Sequence, residues 1–171
     1  AMKPLPGLRL TLVTNSSRTP YSGMLPGYVE GLWQDEDLHI DLRHLAAAAN
    51  ARIIVAAVNG ISADLQQIYF DDRPALSFDV LSINIGGQSN MTIIDGASNH
   101  AIPVKPIAKF QNHFETLISQ KSSQNLPKKL AVIGGGAAGC ELALALITRW
   151  RAETGVAPEL SLITDKDRLM P

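Results

Sequence analysis

Leu130-Ala131-Val132-Ile133-Gly134-Gly135-Gly136-Ala137-Ala138-Gly139-Cys140-Glu141 is the stretch that decides how this 171-residue chain folds. Leu130 to Ile133 is a short apolar run and reads as a strand. Gly134, Gly136 and Gly139 then satisfy GxGxxG, and an Ala/Leu-rich segment predicts a helix over about Ala138 to Ala152. A second strand, Leu160 to Ile163, begins about 20 residues after the last glycine, the length a βαβ unit requires. Each glycine has a mechanical task. Gly134 permits the tight turn, Gly136 admits a pyrophosphate without a Cβ in its way, and Gly139 lets the helix pack close to the sheet. Free N–H groups at the helix start and the positive end of its dipole then hold the diphosphate. Gly134, Gly135, Gly136, Ala137, Ala138 and Gly139 are therefore candidate cofactor-binding residues. A glycine turn with no ligand, as in many doubly wound proteins, is the alternative.

Around this turn the pattern leaves choices open. Thr164 sits where a ribose-binding carboxylate is expected at the end of the second strand, and Asp165 follows one residue later. Lys166 and Arg168 are close by, so NAD and NADP both remain open. Glu141 either stabilises the helix end or belongs to the nucleotide pocket. Cys140 has apolar neighbours and reads as a small buried hydrophobe.

Working outward toward the N-terminus, Ile107, Phe110, Phe114, Leu117 and Ile118 fall on one face of a helix starting after Pro106. The polar run 121–129 marks a composition shift and a domain boundary. Val80 to Ile85 reads as a strand closing on Gly86-Gly87, and Gln66–Phe70 with Ala75–Phe78 as a hairpin. Ile53 to Val58 predicts a buried strand, and Asp41 an N-cap for a helix through Ala49. Leu8 to Val13 alternates as a half-buried strand. Thr19 to Gly27, with two prolines and two glycines, predicts an ordered loop without regular structure.

Composition excludes several classes. The chain has 15 Lys+Arg against 16 Asp+Glu, so it has no charge footprint for nucleic acid or an anionic membrane. One cysteine excludes an internal disulfide, a CxxC pair and a Cys-based zinc site, and it suits a reducing, cytoplasmic setting. His39, His44, His100 and His113 have no metal-ligand spacing, so no metal is expected. No signal-peptide h-region opens the sequence. The most apolar stretch, Ala131 to Ile147, is broken by four glycines and falls short of the ~20 residues that cross a bilayer. Glu30, Asp35, Glu36 and Asp37 read as a solvated acidic face.

The motif Gly134-Gly135-Gly136-x-x-Gly139-x-Glu141, followed by Leu162-Ile163-Thr164 and Asp167-Arg168-Leu169-Met170-Pro171, resembles the NAD(P)H-binding domain of the pyridine nucleotide-disulfide oxidoreductase superfamily. That superfamily includes the type II NADH dehydrogenases. Thr19 to Gly27, Asp79 to Gly86 and Ala101 to Pro106 resemble the branch related to, and sometimes fused with, selenide, water dikinase. The resemblance implies an α/β, Rossmann-like two-dinucleotide flavoprotein fold binding FAD and NAD or NADP. Pro20 and Tyr21 would lie in the loop near the flavin, Gly86 would end the strand beside it, and Lys105 would approach the ring. The chain would be an internal fragment, truncated at both ends. Residues 1–105 would be a partial FAD-binding domain without its first βαβ, 106–127 a connecting helix and linker, and 128–171 a partial NAD(P)-binding βαβ. The implied activity of the parent is hydride transfer from nicotinamide to flavin and on to a quinone or another small acceptor, with no catalytic residue assigned. The alternatives are an incomplete fragment with a residual nucleotide site, so that this chain is no enzyme, or an accessory module of selenium metabolism. Open strand edges would favour a homodimer.

Overall fold

The structure, a computed structural model, describes residues 6–119 and 126–170. In chain order its elements are β1 (Thr11–Thr14), β2 (Arg18–Pro20), a 3-10 turn (Ser22–Met24), α1 (Leu25–Glu30), α2 (Asp35–Leu38), β3 (His39–Asp41), α3 (Leu42–Ala48) and β4 (Arg52–Val55). They continue with β5 (Gly60–Ser62), β6 (Gln67–Tyr69), β7 (Leu76–Ser77), α4 (Ala97–His100), α5 (Ile107–Ser119), β8 (Lys129–Ile133), α6 (Ala137–Thr154) and β9 (Glu159–Ile163). The chain divides into two compact units, Ala1–Thr19 with His39–Ile85 and Pro20–Leu38 with Gly86–Pro171.

In the first unit β1 and β4 pair in parallel, Thr11 opposite Arg52 through Thr14 opposite Val55. A parallel pair needs a crossover, and α3 lies in it. The Asp41 carboxylate accepts from the Arg43 N–H at 2.9 Å, capping α3 as the sequence predicts. That bond, with the nearby Arg43 charge, holds the Asp41 carboxyl below the usual carboxylate range. β5, β6 and β7 form an antiparallel meander. It contains the predicted hairpin and one strand, Gly60–Ser62, too short to announce itself in the sequence. Ile54, Ala56, Ile68 and Phe70 form the core, with Val13, Leu76, Phe78 and Leu81 against it.

In the second unit β8 and β9 pair in parallel over five residues, Lys129 opposite Glu159 through Ile133 opposite Ile163. The Lys129 ammonium meets the Glu159 carboxylate at 3.2 Å across that register. α6 is the crossover. It buries Leu142, Ala145 and Trp150 with Leu25 and Val29 of α1 and with Phe110 and Phe114 of α5. Phe114 stacks on Phe110 at 6.0 Å and tilts against Tyr28 and Trp150 at 6.3 and 6.5 Å. The Trp150 indole N–H donates to the Pro127 carbonyl at 2.8 Å, so its polar edge is satisfied inside the core.

Several expectations are corrected. Thr19 to Gly27 is not irregular: it holds the end of β2, the 3-10 turn and the start of α1. Pro26 stands in the first turn of α1, where its missing N–H costs no helical bond. Val80 to Ile85 is not a strand. Leu81 packs on the first unit's core, while Val80 and Ile85 are 89% and 90% exposed. A strand must satisfy its N–H and C=O groups on a neighbour, and no neighbour stands beside this run among the described residues. The other strand predictions shift at their ends, β1 to Thr11–Thr14 and β4 to Arg52–Val55, and β4 is not the buried strand expected, since only Ile54 of it is buried while Val55 and Val58 are exposed. The acidic face is only partly solvated, because Asp35 is half-buried and accepts from the Gln111 amide at 2.6 Å. Part of the polar run 121–129, residues 121–125, lies outside the described residues.

Candidate functional site

The end of β8 creates the site. The Gly134 N–H donates to the Ile163 carbonyl at 2.8 Å, the last rung before the two strands part. Gly134 then turns with φ +122°, a left-handed conformation that a side chain rarely adopts. The four glycines meet different surroundings. A Cβ on Gly135 would stand 2.7 Å from Thr164 Cβ and Oγ1, so the buried Gly135 is what lets the turn lie on the end of β9. A Cβ on Gly139 would stand 1.8 Å from the Gly134 carbonyl oxygen, so α6 starts in direct contact with the turn. A Cβ on Gly136 would meet nothing within 4 Å. Packing therefore explains Gly135 and Gly139, and it does not explain Gly136.

Gly136 is the N-cap of α6 in extended conformation, φ −76° and ψ 177°, and it offers no side-chain oxygen to the helix. The Cys140 N–H makes the first intrahelical bond, to the Gly136 carbonyl at 3.1 Å. The N–H groups of Ala137, Ala138 and Gly139 precede it, and Ala137 and Ala138 are exposed. No acidic side chain stands in that first turn. An anion carrying several acceptor oxygens fits such an end, because the N–H groups donate to it and the 18-residue helix presents its positive pole. Glu141 lies one turn further on and is exposed. The Cys140 thiol is half-buried, 3.6 Å from the Gly135 carbonyl oxygen.

Beyond β9 the chain folds back on the turn. The Met170 N–H donates to the Gly135 carbonyl at 2.7 Å, with Met170 itself at φ +49°. The Thr164 hydroxyl accepts from the Lys166 N–H at 3.2 Å, and the Asp165 carboxylate lies 3.3 Å from the Lys166 ammonium. Neither Thr164's contact with Gly135 nor the return of Met170 has a signal in the sequence beyond three glycines in a row.

The remaining predicted residues, Pro20, Tyr21, Gly86 and Lys105, all belong to the second unit. Pro20 ends β2, and Tyr21 is exposed with its N–H donated to the Leu38 carbonyl at 2.8 Å. Gly86 has φ +73° with open space where a Cβ would be. The Lys105 side chain is exposed, and its carbonyl accepts from the Ser89 N–H at 3.4 Å. No ion pair or side-chain hydrogen bond joins these four among the described residues. Thr14, the last residue of β1, and Ser16 just after it spend their hydroxyls on the Ser16 and Arg18 carbonyls, both at 2.8 Å. A second polar cluster is built by α1, α2 and α5. The Tyr28 hydroxyl donates to Glu115, which also accepts from the Gln111 amide at 3.1 Å. Burial first, and the bond to Glu115 second, push the Tyr28 phenol up to about 12. Among the described residues no group of three or more His, Cys, Asp or Glu converges on a metal position.

The family model of the pyridine nucleotide-disulphide oxidoreductases matches residues 2–171. The chain belongs to that family. No curated protein matches it as a relative. Among solved structures it resembles NDH2 from Plasmodium falciparum in complex with NADH, at 17% identity and TM-score 0.74, covering 95% of this chain and 38% of that one. It also resembles the sulfide:quinone oxidoreductase of the bacterium Aquifex aeolicus, at 19% identity and TM-score 0.71, covering 94% and 38%. A third is an NAD-dependent persulfide reductase from A. fulgidus, at 21% identity and TM-score 0.67, covering 95% and 30%. At such identities the likeness is one of fold. It gives this pyridine nucleotide-disulphide oxidoreductase chain the Rossmann-like flavoprotein architecture, over a little more than a third of the length of the first two structures. No helix among the described residues is long and apolar enough to cross a membrane.

Proposed function

We propose that this chain is part of an FAD-dependent NAD(P)H oxidoreductase of the type II NADH dehydrogenase kind, and that its glycine turn holds the nicotinamide dinucleotide. One observation carries the reading. Gly136 faces open space at the start of a long helix whose first N–H groups are presented outward, and no packing demand accounts for a glycine there. The residues fit a dinucleotide: Gly136, Ala137, Ala138 and Gly139 would hold the diphosphate, and Thr164 and Asp165 would border the adenosine ribose. In the complete protein the flavin supplies the redox chemistry, taking hydride from the nicotinamide and passing electrons to a quinone or another small acceptor. This chain's part is to bind and orient the dinucleotide. For FAD the fit is partial. Pro20, Tyr21, Gly86 and Lys105 would border a flavin, but no second glycine turn opens a helix among the described residues.

The domain division follows the same reading, with 1–105 serving FAD, 106–127 connecting and 128–171 serving NAD(P). The branch related to the selenide, water dikinase fusion rests on the sequence resemblance, and so does a place in selenium metabolism. A cytoplasmic setting is favoured by the single cysteine, and a homodimer by the open edges of the two-stranded parallel sheets. A visible absorbance spectrum of the purified chain, followed by titration with FAD and then NADH, tests the reading. Flavin uptake that bleaches on adding NADH supports the oxidoreductase. Dinucleotide binding without flavin uptake favours a residual nucleotide site, and binding of neither overturns both readings.

A further inference from the structure

The chain leaving α1 builds a cavity of its own, which shares no residue with the glycine turn. The Gly27 carbonyl accepts from the N–H groups of Gly31, Leu32 and Trp33 at 3.1, 2.9 and 3.4 Å, so the backbone curls back over the helix end. Gly27 and Gly31 leave room there for two side chains. A Cβ on Gly27 would stand 2.1 Å from the Trp33 indole nitrogen, and one on Gly31 would stand 2.6 Å from an Arg149 guanidinium nitrogen. Trp33 and Arg149 thus line, with Tyr28, Phe114, Glu115 and Ile118, a cavity of about 290 Å³ that lies wholly within the second unit. It opens on the side of Trp33 and Glu115, which are exposed. Arg149 stands twelve residues along α6 from Ala137, ~18 Å of helix rise.

Charge decides what such a cavity can hold. Arg149 is already matched, because its Nε lies 2.9 Å from the Glu153 carboxylate one turn along α6. Glu115 is met only by neutral donors, the Tyr28 hydroxyl and the Gln111 amide, both on Oε1, and no cation pairs with it among the described residues. The charge left at the cavity is therefore negative. The Tyr28 phenol registers it: burial raises it first and the bond to Glu115 second, with the charges of Glu115 and Asp35 adding to both. Aromatic faces beside a carboxylate attract an ammonium that carries an apolar body, whereas an anion is repelled by the same carboxylate. We propose that this cavity binds a small organic cation, a primary or quaternary amine, whose charge meets Glu115 and whose body lies against Tyr28, Trp33 and Ile118.

Three probes that share one ring and differ in charge test this: 2-phenylethylamine, 2-phenylethanol and 3-phenylpropionate, each titrated into the 171-residue chain by calorimetry. The amine is expected to bind at least tenfold more tightly than the other two, with an affinity that falls on adding salt. Glu115→Gln keeps an acceptor for Tyr28 and removes the charge, so it is expected to weaken the amine about tenfold and leave the alcohol unchanged. Trp33→Ala removes an exposed side chain without touching the buried core, and it is expected to weaken the amine as well. Tightest binding of the carboxylate overturns the proposal in favour of an anion site on Arg149. Equal binding of amine and alcohol overturns it, as does an amine affinity that neither variant changes. Binding of none of the three, at concentrations that would fill a millimolar site, also overturns it. None of these outcomes bears on the dinucleotide reading of the glycine turn.

Discussion

Two glycines one turn apart separate what the fold needs from what a ligand needs. Gly139→Ala would drive a methyl to 1.8 Å from the Gly134 carbonyl oxygen, an overlap relieved only by moving the start of α6. It should cost about 3 kcal/mol, read as a lower urea midpoint. Gly136→Ala meets nothing within 4 Å, so stability should change by less than about 1 kcal/mol. On the proposed reading its methyl would stand where a diphosphate would approach, and dinucleotide affinity, read by calorimetric titration, should fall about tenfold. An unchanged affinity would leave Gly136 as an ordinary N-cap glycine. At this scale the sequence was legible for the spacing of Gly134, Gly136 and Gly139, because spacing is local. It named Gly135 only as a cofactor candidate and missed its packing constraint, which comes from Thr164, 29 positions away and adjacent only after β8 and β9 have paired.

Among the elements, the long helices α5 and α6 followed their patterns, whereas the short α1, α2 and α4 had no signal read from the sequence. α5 spans Ile107–Ser119 with Phe110 and Phe114 buried, as the spacing of its apolar residues demands. A helix satisfies its own backbone, so its sequence suffices to place it. Val80 to Ile85 has strand composition and no strand, because a ladder needs a second partner that composition does not describe. The junction of α1 with α5 provides a pH-dependent test. Tyr28 keeps its proton more tightly folded than unfolded, since its phenol is raised from 10.0 to about 12. Below pH 10 both states hold the proton and the contribution is complete. As pH rises toward 12 the unfolded chain ionises first and stability is lost. Tyr28→Phe should remove this alkaline decline from the urea midpoints and lower stability by about 1 kcal/mol at neutral pH, through the lost bond to Glu115. A decline of the same size in the variant would assign it to other groups.

For the whole molecule, the two parallel sheets have two strands each, so every strand in them has an open edge. Large apolar side chains lie bare along the chain, among them Ile85 at 90%, Leu144 at 67% and Ile133 at 54%. Single exposed residues are ordinary, but open edges with bare apolar neighbours favour pairing with another chain. Sedimentation velocity at rising concentration should show a shift from monomer to dimer, and a constant monomer at every concentration would sink the homodimer. The same unit also sets an order of events during synthesis. Leu25 and Val29 of α1 find their cover on Leu142 and Trp150 of α6, more than a hundred residues downstream, and the stretch between includes His39–Ile85 of the other unit. At ribosomal speeds that gap lasts on the order of ten seconds. The first unit's last residue here is Ile85, whereas the apolar face of α1 is only partly covered by Phe110 and Phe114 of α5 until the helix that begins at the glycine turn is made. The nascent chain is thus most in need of a chaperone in the interval before α6 emerges.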